Sequence, residues 1–271
     1  MKLTTLLTTL LSAKAVIAAP FIELRHEQRA ARQQARAVNH SHPPYNITTA
    51  DTYSSASDGV NAKYTSNWAG AVLKGSGYKS VTGTIVVPTP ELPFDGNYGT
   101  LYAAAAWVGI GGNVCSGAIL QTGVDFWLED GKPIFTAWCE WLPEPPHNFE
   151  KFIMKAGDLI TMTVTAKSTS SGTATLKNHN TSQIVSHTFK HESTGICELN
   201  AEWIIEDFMV DGYKVPLVDF TEVTFKNASV TTTSGATLGV EGATILDIVQ
   251  NNLILTSCST IEDSSVRCSY A

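Results

Sequence analysis

Short apolar segments separated by clusters of turn-forming residues fill the chain from residue 64 to its end. The segments are rich in Val, Ile, Thr, Trp and Phe, whereas Gly, Pro, Asn and Ser dominate between them, a pattern that predicts β-strands joined by turns. Strands are expected at 66–73, 80–87, 100–110, 119–128, 134–141, 159–166, 173–178, 184–189, 198–205, 218–223, 229–233, 245–248 and 266–270. Because nothing in this spacing suggests alternating helices, the sequence predicts an all-β fold, an antiparallel β-sandwich.

The first 19 residues carry the pattern of a signal peptide. Lys2 gives a positive start, an apolar run follows, and small residues allow cleavage after Ala18 or Ala19. A transmembrane anchor is the alternative, but it needs roughly 20 uncharged residues, and Lys14 interrupts this run. We therefore expect a secreted, extracellular protein with no membrane partner.

The pattern of residues 20–60 predicts a propeptide and linker ahead of a compact domain at 61–271. Residues 21–38 place arginines among Ala and Gln, which are good helix formers, and this favours a basic helix. Residues 39–60 are rich in Ser and Thr and contain two adjacent prolines, as linkers do. A flexible N-terminal extension without a role is the alternative interpretation.

Charge is distributed unevenly along the chain, which has a net charge of −7. The first 58 residues hold six basic and four acidic side chains, and the remainder holds 12 basic and 21 acidic ones. An acidic domain offers no basic face for nucleic acid. In acid its carboxylates lose charge, which limits self-repulsion and makes the domain compatible with acidic conditions.

Polar and aromatic side chains share faces of several predicted strands, because residues two apart on a strand point to the same side. Tryptophans beside carboxylates are typical of a groove that holds an extended ligand. The pattern by itself favours a plainer interpretation, in which the tryptophans fill a core and the carboxylates are solvated. The sets that share a face are Gln121, Gly123 and Asp125; Thr136, Trp138 and Glu140; Glu202, Ile204 and Glu206; and Trp107 with Gly109.

Several common catalytic and metal-binding motifs are missing from the sequence. The chain contains no GxSxG, no HExxH and no Asp-Thr/Ser-Gly segment. His187 and His191 have the spacing of zinc ligands on a helix, but their segment predicts a strand and its end. We expect no metal and no cofactor.

Five segments, in order along the chain, resemble the signature segments of the eqolisins, the glutamic peptidases of filamentous fungi. They are Ser-Asn-Trp-Ala-Gly at 66–70, Ala-Trp-Val-Gly-Ile at 106–110, Ala-Ile-Leu-Gln-Thr-Gly at 118–123, Trp-Cys-Glu-Trp at 138–141 and Asn-Ala-Glu-Trp-Ile-Ile-Glu-Asp at 200–207. The resemblance covers most of residues 64–271. It implies a sandwich of two long antiparallel sheets, a concanavalin- or lectin-like architecture, with the active site on the concave sheet.

The resemblance also implies which residues form the active site. Gln121 and Glu202 would be the catalytic pair, with Glu202 as general base and acid and Gln121 as donor to the oxyanion. Two tryptophans would line the substrate groove, a glutamate would lie nearby, and a third tryptophan would form its wall. These substrate-binding residues are Trp107, Trp138, Glu140 and Trp68.

Five cysteines leave at least one unpaired within the chain. Cys258 and Cys268, ten residues apart, could join a terminal hairpin. The resemblance implies that pair, and a second pair between Cys115 and Cys197. Cys139, which stands where the family carries Tyr, is then the odd thiol, and its place on the strand face opposite the polar side chains predicts burial in the core.

Together these expectations describe a pepstatin-insensitive acid endopeptidase, secreted as a latent precursor. We expect a monomer that acts on protein and peptide substrates and that binds its own propeptide. The residues alone leave two alternatives open. Glu140 and Glu202 could be the carboxylate pair of a glycoside hydrolase, or the tryptophans could stack on sugar rings in a lectin-like module.

Overall fold

Two large β-sheets form the protein in a computed structural model that describes residues 42–46, 62–210 and 212–271. The first sheet has nine strands in the order β1-β16-β2-β11-β4-β5-β6-β7, with β17 paired to β16. Its strands are β1 (Lys63–Thr65), β2 (Trp68–Lys74), β4 (Tyr102–Gly111), β5 (Ile119–Glu129), β6 (Lys132–Leu142), β7 (His147–Asn148), β11 (Asn200–Glu206), β16 (Thr244–Gln250) and β17 (Leu253–Ile254).

The second sheet has eight strands in the order β10-β9-β8-β3-β14-β19-β18, with β15 paired to β14. These strands are β3 (Tyr78–Val86), β8 (Leu159–Ser168), β9 (Ser171–Asn178), β10 (Ile184–Phe189), β14 (Glu222–Thr232), β15 (Thr237–Leu238), β18 (Thr256–Ile261) and β19 (Ser265–Tyr270). A small hairpin of β12 (Met209–Val210) and β13 (Tyr213–Lys214) stands apart. Apart from the parallel pair β1–β16, the ladders are antiparallel, so the predicted all-β sandwich is confirmed.

The main core lies between the two sheets and follows the period of two along each strand. On β5, Leu120, Val124 and Phe126 point to the second sheet and pack in this core. Ile119 and Trp127 point the other way and belong to a separate apolar cluster on the far side of the first sheet. We call this far side the outer face; its cluster explains why β4, β5 and β11 are buried on both sides.

The cysteines adopt the expected pairing. Cys258 and Cys268 join β18 to β19, and Cys115 and Cys197 join the loop before β5 to the segment before β11. Cys139 is free and fully buried in the main core, as its strand face predicted.

The predicted division of residues 218–233 into two strands was wrong. β14 is one strand from Glu222 to Thr232 that includes most of the predicted strand 229–233 but only the last two residues of 218–223, and its pairing with β3 shifts between Lys226 and Ser229. Asn227 at this shift has φ 53°, a left-handed conformation that Asn tolerates, so the polar break in the sequence is an irregularity within a strand. β18 was missed because its Ser- and Thr-rich sequence has little apolar alternation.

The N-terminal predictions fall mostly outside the described residues. These include the signal peptide at 1–19 and the basic helix at 21–38. Within the described ranges, no helix is long and apolar enough to cross a membrane.

Two buried aspartates at the first sheet make the free energy of unfolding depend on pH. Asp247 accepts hydrogen bonds from the backbone of Cys258 at 2.8 Å and from Thr256 at 3.2 Å. Asp207 accepts one from Gln250 and lies 3.8 Å from the Lys214 ammonium. Burial nevertheless raises the pKa of each carboxyl to about 7, because desolvation outweighs these partners.

We expect the free energy of unfolding to fall between pH 4 and pH 7. An unfolded Asp has a pKa near ~3.9, so in this window the folded carboxyls keep protons that the unfolded chain has released, and rising pH favours unfolding. Urea denaturation at pH 4, 5, 6 and 7 should show that Asp247→Asn weakens this decline. A decline equally steep in the variant would contradict the assignment to Asp247.

Candidate active site

A single row of paired residues crosses the outer face and brings the two predicted catalytic side chains to the same side. In neighbouring strands the directly opposed residues are Glu140 on β6, Gln121 on β5, Gly109 on β4 and Glu202 on β11. Directly opposed residues of paired strands project to the same face. Gln121 and Glu202 therefore flank one intervening strand, about 9–10 Å apart at their Cα atoms.

Gly109 keeps the space between Gln121 and Glu202 free of a side chain. A Cβ added at this position would lie 2.9 Å from Cζ3 of Trp107 and 3.3 Å from Cβ of Gln121. Any larger residue would therefore press on the Trp107 ring and on Gln121. The glycine leaves room at this point for an atom that both an amide and a carboxylate could contact.

Glu140 holds the side-chain amide of Gln121. The Gln121 Nε2 donates to the Glu140 Oε2 at 2.6 Å, and both side chains are fully buried. Burial raises the pKa of Glu140 well above its usual value, and the nearby carboxylates of Glu206 and Asp125 add to this, whereas the bond from Gln121 lowers it. Glu140 is thus a direct partner of Gln121.

Glu202 is a buried carboxyl whose oxygens have few hydrogen-bond donors near them. Its side chain is 0% exposed, and among the described residues neither oxygen has a partner in good hydrogen-bond geometry, although the backbone N–H of Asn113 lies near the carboxyl. Burial raises its pKa well above the usual value, and the backbone amide of Asn113 offsets part of the shift. A buried, unsatisfied carboxyl is a strong candidate for a functional group.

Two buried carboxylates fix the tryptophans of the next rows. Trp107 Nε1 donates to Glu206 Oε2 at 2.8 Å, and Trp138 Nε1 donates to Asp125 Oδ1 at 2.6 Å. Trp68 packs edge-on against Trp107 with ring centroids 4.9 Å apart. The three predicted tryptophans therefore lie on the outer face, but all are fully buried in this chain.

The strand pattern predicted Asp125 and Glu206 on the polar face but indicated no role for them. Each follows a predicted catalytic residue by four positions on the same strand, Asp125 after Gln121 and Glu206 after Glu202. This regular spacing was the available signal. Their function as indole acceptors depends on which strands are neighbours, and sequence spacing does not contain that information.

A cavity of about 360 Å³ is lined by Val72, the residue that β2 pairs with Glu202 on the side away from Gln121. Val72 and Thr244, which line it, continue the row of Glu202 across β2 and β16. Asn46, from the N-terminal part of the chain, also lines it. The outer face thus offers space beyond the Glu202 end of the row, and the N-terminal segment reaches this space.

Comparison with known proteins gives consistent matches across this domain. Residues 66–270 match the Peptidase A4 family. Aspergillopepsin-2 of Aspergillus niger is 44% identical, with 97% of this chain and 98% of that protein covered. Scytalidopepsin B of Scytalidium lignicola is 40% identical, with both chains covered completely.

Solved structures agree with the sequence matches. A crystal structure of scytalido-glutamic peptidase with a transition state analog inhibitor has a TM-score of 0.69 and 40% identity, and the match covers 76% of this chain and 98% of that one. For aspergilloglutamic peptidase from Aspergillus niger the TM-score is 0.60 and the identity 46%, with 63% and 99% covered. The chain therefore belongs to the Peptidase A4 family and is a glutamic peptidase.

Proposed function

We propose that this protein is a secreted acid endopeptidase in which Gln121 and Glu202 act together on the scissile peptide bond. The observation that carries the proposal is their position in one cross-strand row, on either side of Gly109 and on the same face. Family membership favours a peptidase over the glycoside hydrolase and the lectin-like module that the residues alone left open.

In the proposed reaction Glu202 takes a proton from a water molecule, and that water attacks the carbonyl carbon of the substrate. Gln121 donates a hydrogen bond to the oxygen that becomes negative. The protonated Glu202 then delivers its proton to the departing amine. The water is split between the two products, and no covalent bond to the protein forms.

Glu140 supports this role of Gln121 by fixing the orientation of its amide. An amide nitrogen carries two hydrogens, so Gln121 can donate to Glu140 and to a second acceptor at the same time. A donor that is already oriented loses little freedom when the negative charge develops, which is why preorganised donors are effective.

The titration of Glu202 fits activity in acid. A general base works best when its pKa lies near the working pH; an ordinary Glu titrates near ~4.3, whereas a His would be protonated there. In the full-length chain burial pushes the Glu202 pKa upward. Solvent entering an opened outer face would reduce that desolvation and allow ionisation, while the Gln121 amide does not titrate.

The lengths over which the relatives align with this chain support a precursor with a signal peptide and a propeptide. Both curated relatives align over nearly all of this chain, including its N-terminal part. The solved scytalido-glutamic peptidase is covered to 98% by only 76% of this chain. The difference supports a segment at 20–60 that the precursor carries and the active form lacks, and the apolar start at 1–19 supports export.

Substitution of the catalytic pair should separate folding from activity. We expect Glu202→Gln to abolish turnover and Gln121→Ala to lower kcat by about 10²–10³, the usual cost of one lost oxyanion donor. Digestion of denatured haemoglobin at pH 3, with pepstatin and a chelator present throughout, measures this, and Glu150→Gln at an exposed site is the matched control. Wild-type rates in Glu202→Gln would refute the mechanism.

Acid should also trigger removal of the propeptide by the protein itself. We propose that Arg25, Arg29, Arg32 and Arg36 pair with the acidic domain at neutral pH, and that protonation of its carboxylates weakens this pairing. At pH 3 the wild-type precursor should shorten by cleavage between residues 50 and 63, whereas Glu202→Gln should stay intact when followed by intact mass. Clean shortening of isolated Glu202→Gln would show that another protease does the processing.

A further inference from the structure

The side chain of Asn67 is almost buried, at 2% exposure, and the structure records its hydrogen bonds to the N-terminal segment 42–46. Its Oδ1 accepts from the backbone N–H of Tyr45 at 2.9 Å. Its Nδ2 donates to the backbone oxygens of His42 at 3.4 Å and Pro43 at 3.3 Å. Among the described residues, no hydrogen bond joins this amide to the rest of the domain. The side chain is thus built to hold another stretch of main chain.

Glu206 binds the same segment from the neighbouring strand. Its Oε1 accepts the backbone N–H of His42 at 3.0 Å, while Oε2 accepts the Trp107 indole. The carboxylate is 1% exposed. The carboxylate therefore connects Trp107 to the bound peptide backbone, with one oxygen accepting from each.

The bound segment is extended, and its backbone provides the contacts. Pro43 and Pro44 have no backbone N–H and a fixed φ, and the N–H groups on either side of them, at His42 and Tyr45, are the two that are bound. The segment then meets the domain at an isolated antiparallel bridge between Asn46 and Thr65, where the Tyr45 carbonyl accepts the N–H of Ser66 at 3.0 Å. The Tyr45 side chain is 50% exposed, so the site recognises the main chain of this residue and does not enclose its side chain.

We propose that Asn67 and Glu206 form a main-chain subsite for an extended peptide, occupied by residues 42–45 in the full-length chain and by substrate after they leave. The inference rests on the proposed peptidase function. A substrate would place the N–H of one residue on Glu206, the N–H three residues later on Asn67, and the intervening carbonyls on the Asn67 amide.

The distance from the catalytic row sets the substrate length that this subsite requires. Glu206 lies four residues from Glu202 on the same face of β11, which corresponds to about 13 Å along the strand. An extended peptide advances about 3.3 Å per residue, so the subsite lies about four residues from the scissile bond. Residues 42–45 and a substrate of that length cannot occupy it together, which makes the segment a competitor of substrate.

Peptides of graded length test the subsite. Full-length protein is first incubated at pH 3 and then given peptides that are lengthened one residue at a time on either side of a fixed scissile bond. On one side of that bond, kcat/KM should rise about tenfold when the fourth residue is added. Asn67→Ala should reduce this long-to-short ratio towards one. Asn180→Ala, at an exposed turn of the second sheet, should keep the ratio. Because Asn180 begins an Asn-x-Ser/Thr glycosylation sequence, all the proteins compared are produced without glycans.

A backbone N-methyl group on the long peptide gives a test that needs no variant. Methylation of the N–H that faces Glu206 should remove the gain in the wild-type protein, whereas methylation at the next residue towards the peptide terminus should not. Cleavage of short peptides with no gain at any length would overturn the subsite alone. Failure to cleave any peptide would refute the proposed function instead.

Hydrogen exchange tests the occupied state without activity. In full-length Glu202→Gln protein at pH 6, the Tyr45 amide should exchange slowly, and a further Asn67→Ala substitution should speed it by about tenfold. Asn67→Asp, which keeps the acceptor for Tyr45, should protect that amide better than Asn67→Ala does. Equal exchange in all three proteins would show that Asn67 does not hold the segment.

Discussion

The register between β5, β4 and β11 is the constraint on which the proposed chemistry depends. It opposes Gln121 to Gly109 and Gly109 to Glu202, so that the amide and the carboxylate share a face with one glycine between them. A slip of one residue would turn either side chain into the main core. Such a slip would expose core residues such as Leu120 and Trp203 on the wrong side, and the Cys115–Cys197 bond ties together the segments that lead into β5 and β11.

The outer face combines apolar packing with an unusual density of carboxyl groups. Tryptophans lie beside the proposed catalytic row of Gln121 and Glu202, and two of them use their N–H to bind Asp125 and Glu206. Burial among these rings raises the pKa values of Glu140 and Glu202. Asp207 and Asp247 are shifted in the same direction beside this sheet. Protonation of these groups relieves the cost of burying charge, so their burial costs least in acid.

The N-terminal segment covers part of the outer face near the proposed catalytic residues. Residues 42–46 lie against the outer face, bound through their main chain to Asn67 and Glu206. Glu206 also holds Trp107, which lies beside Gly109. Occupation of the proposed subsite is thereby linked through one carboxylate to the catalytic row.

The sequence by itself determined the fold class, the face on which each polar side chain lies and the burial of Cys139, because a period of two is a local property of a strand. The signature segments identified the family. Only the tertiary structure decided that β11 lies between β2 and β4. From that followed the gap at Gly109, the bond from Gln121 to Glu140 and the pairing of indoles with carboxylates. Strand neighbours are chosen by packing between segments far apart in the sequence, 99 residues for Trp107 and Glu206 and 172 for Val72 and Thr244, and no local pattern records that choice.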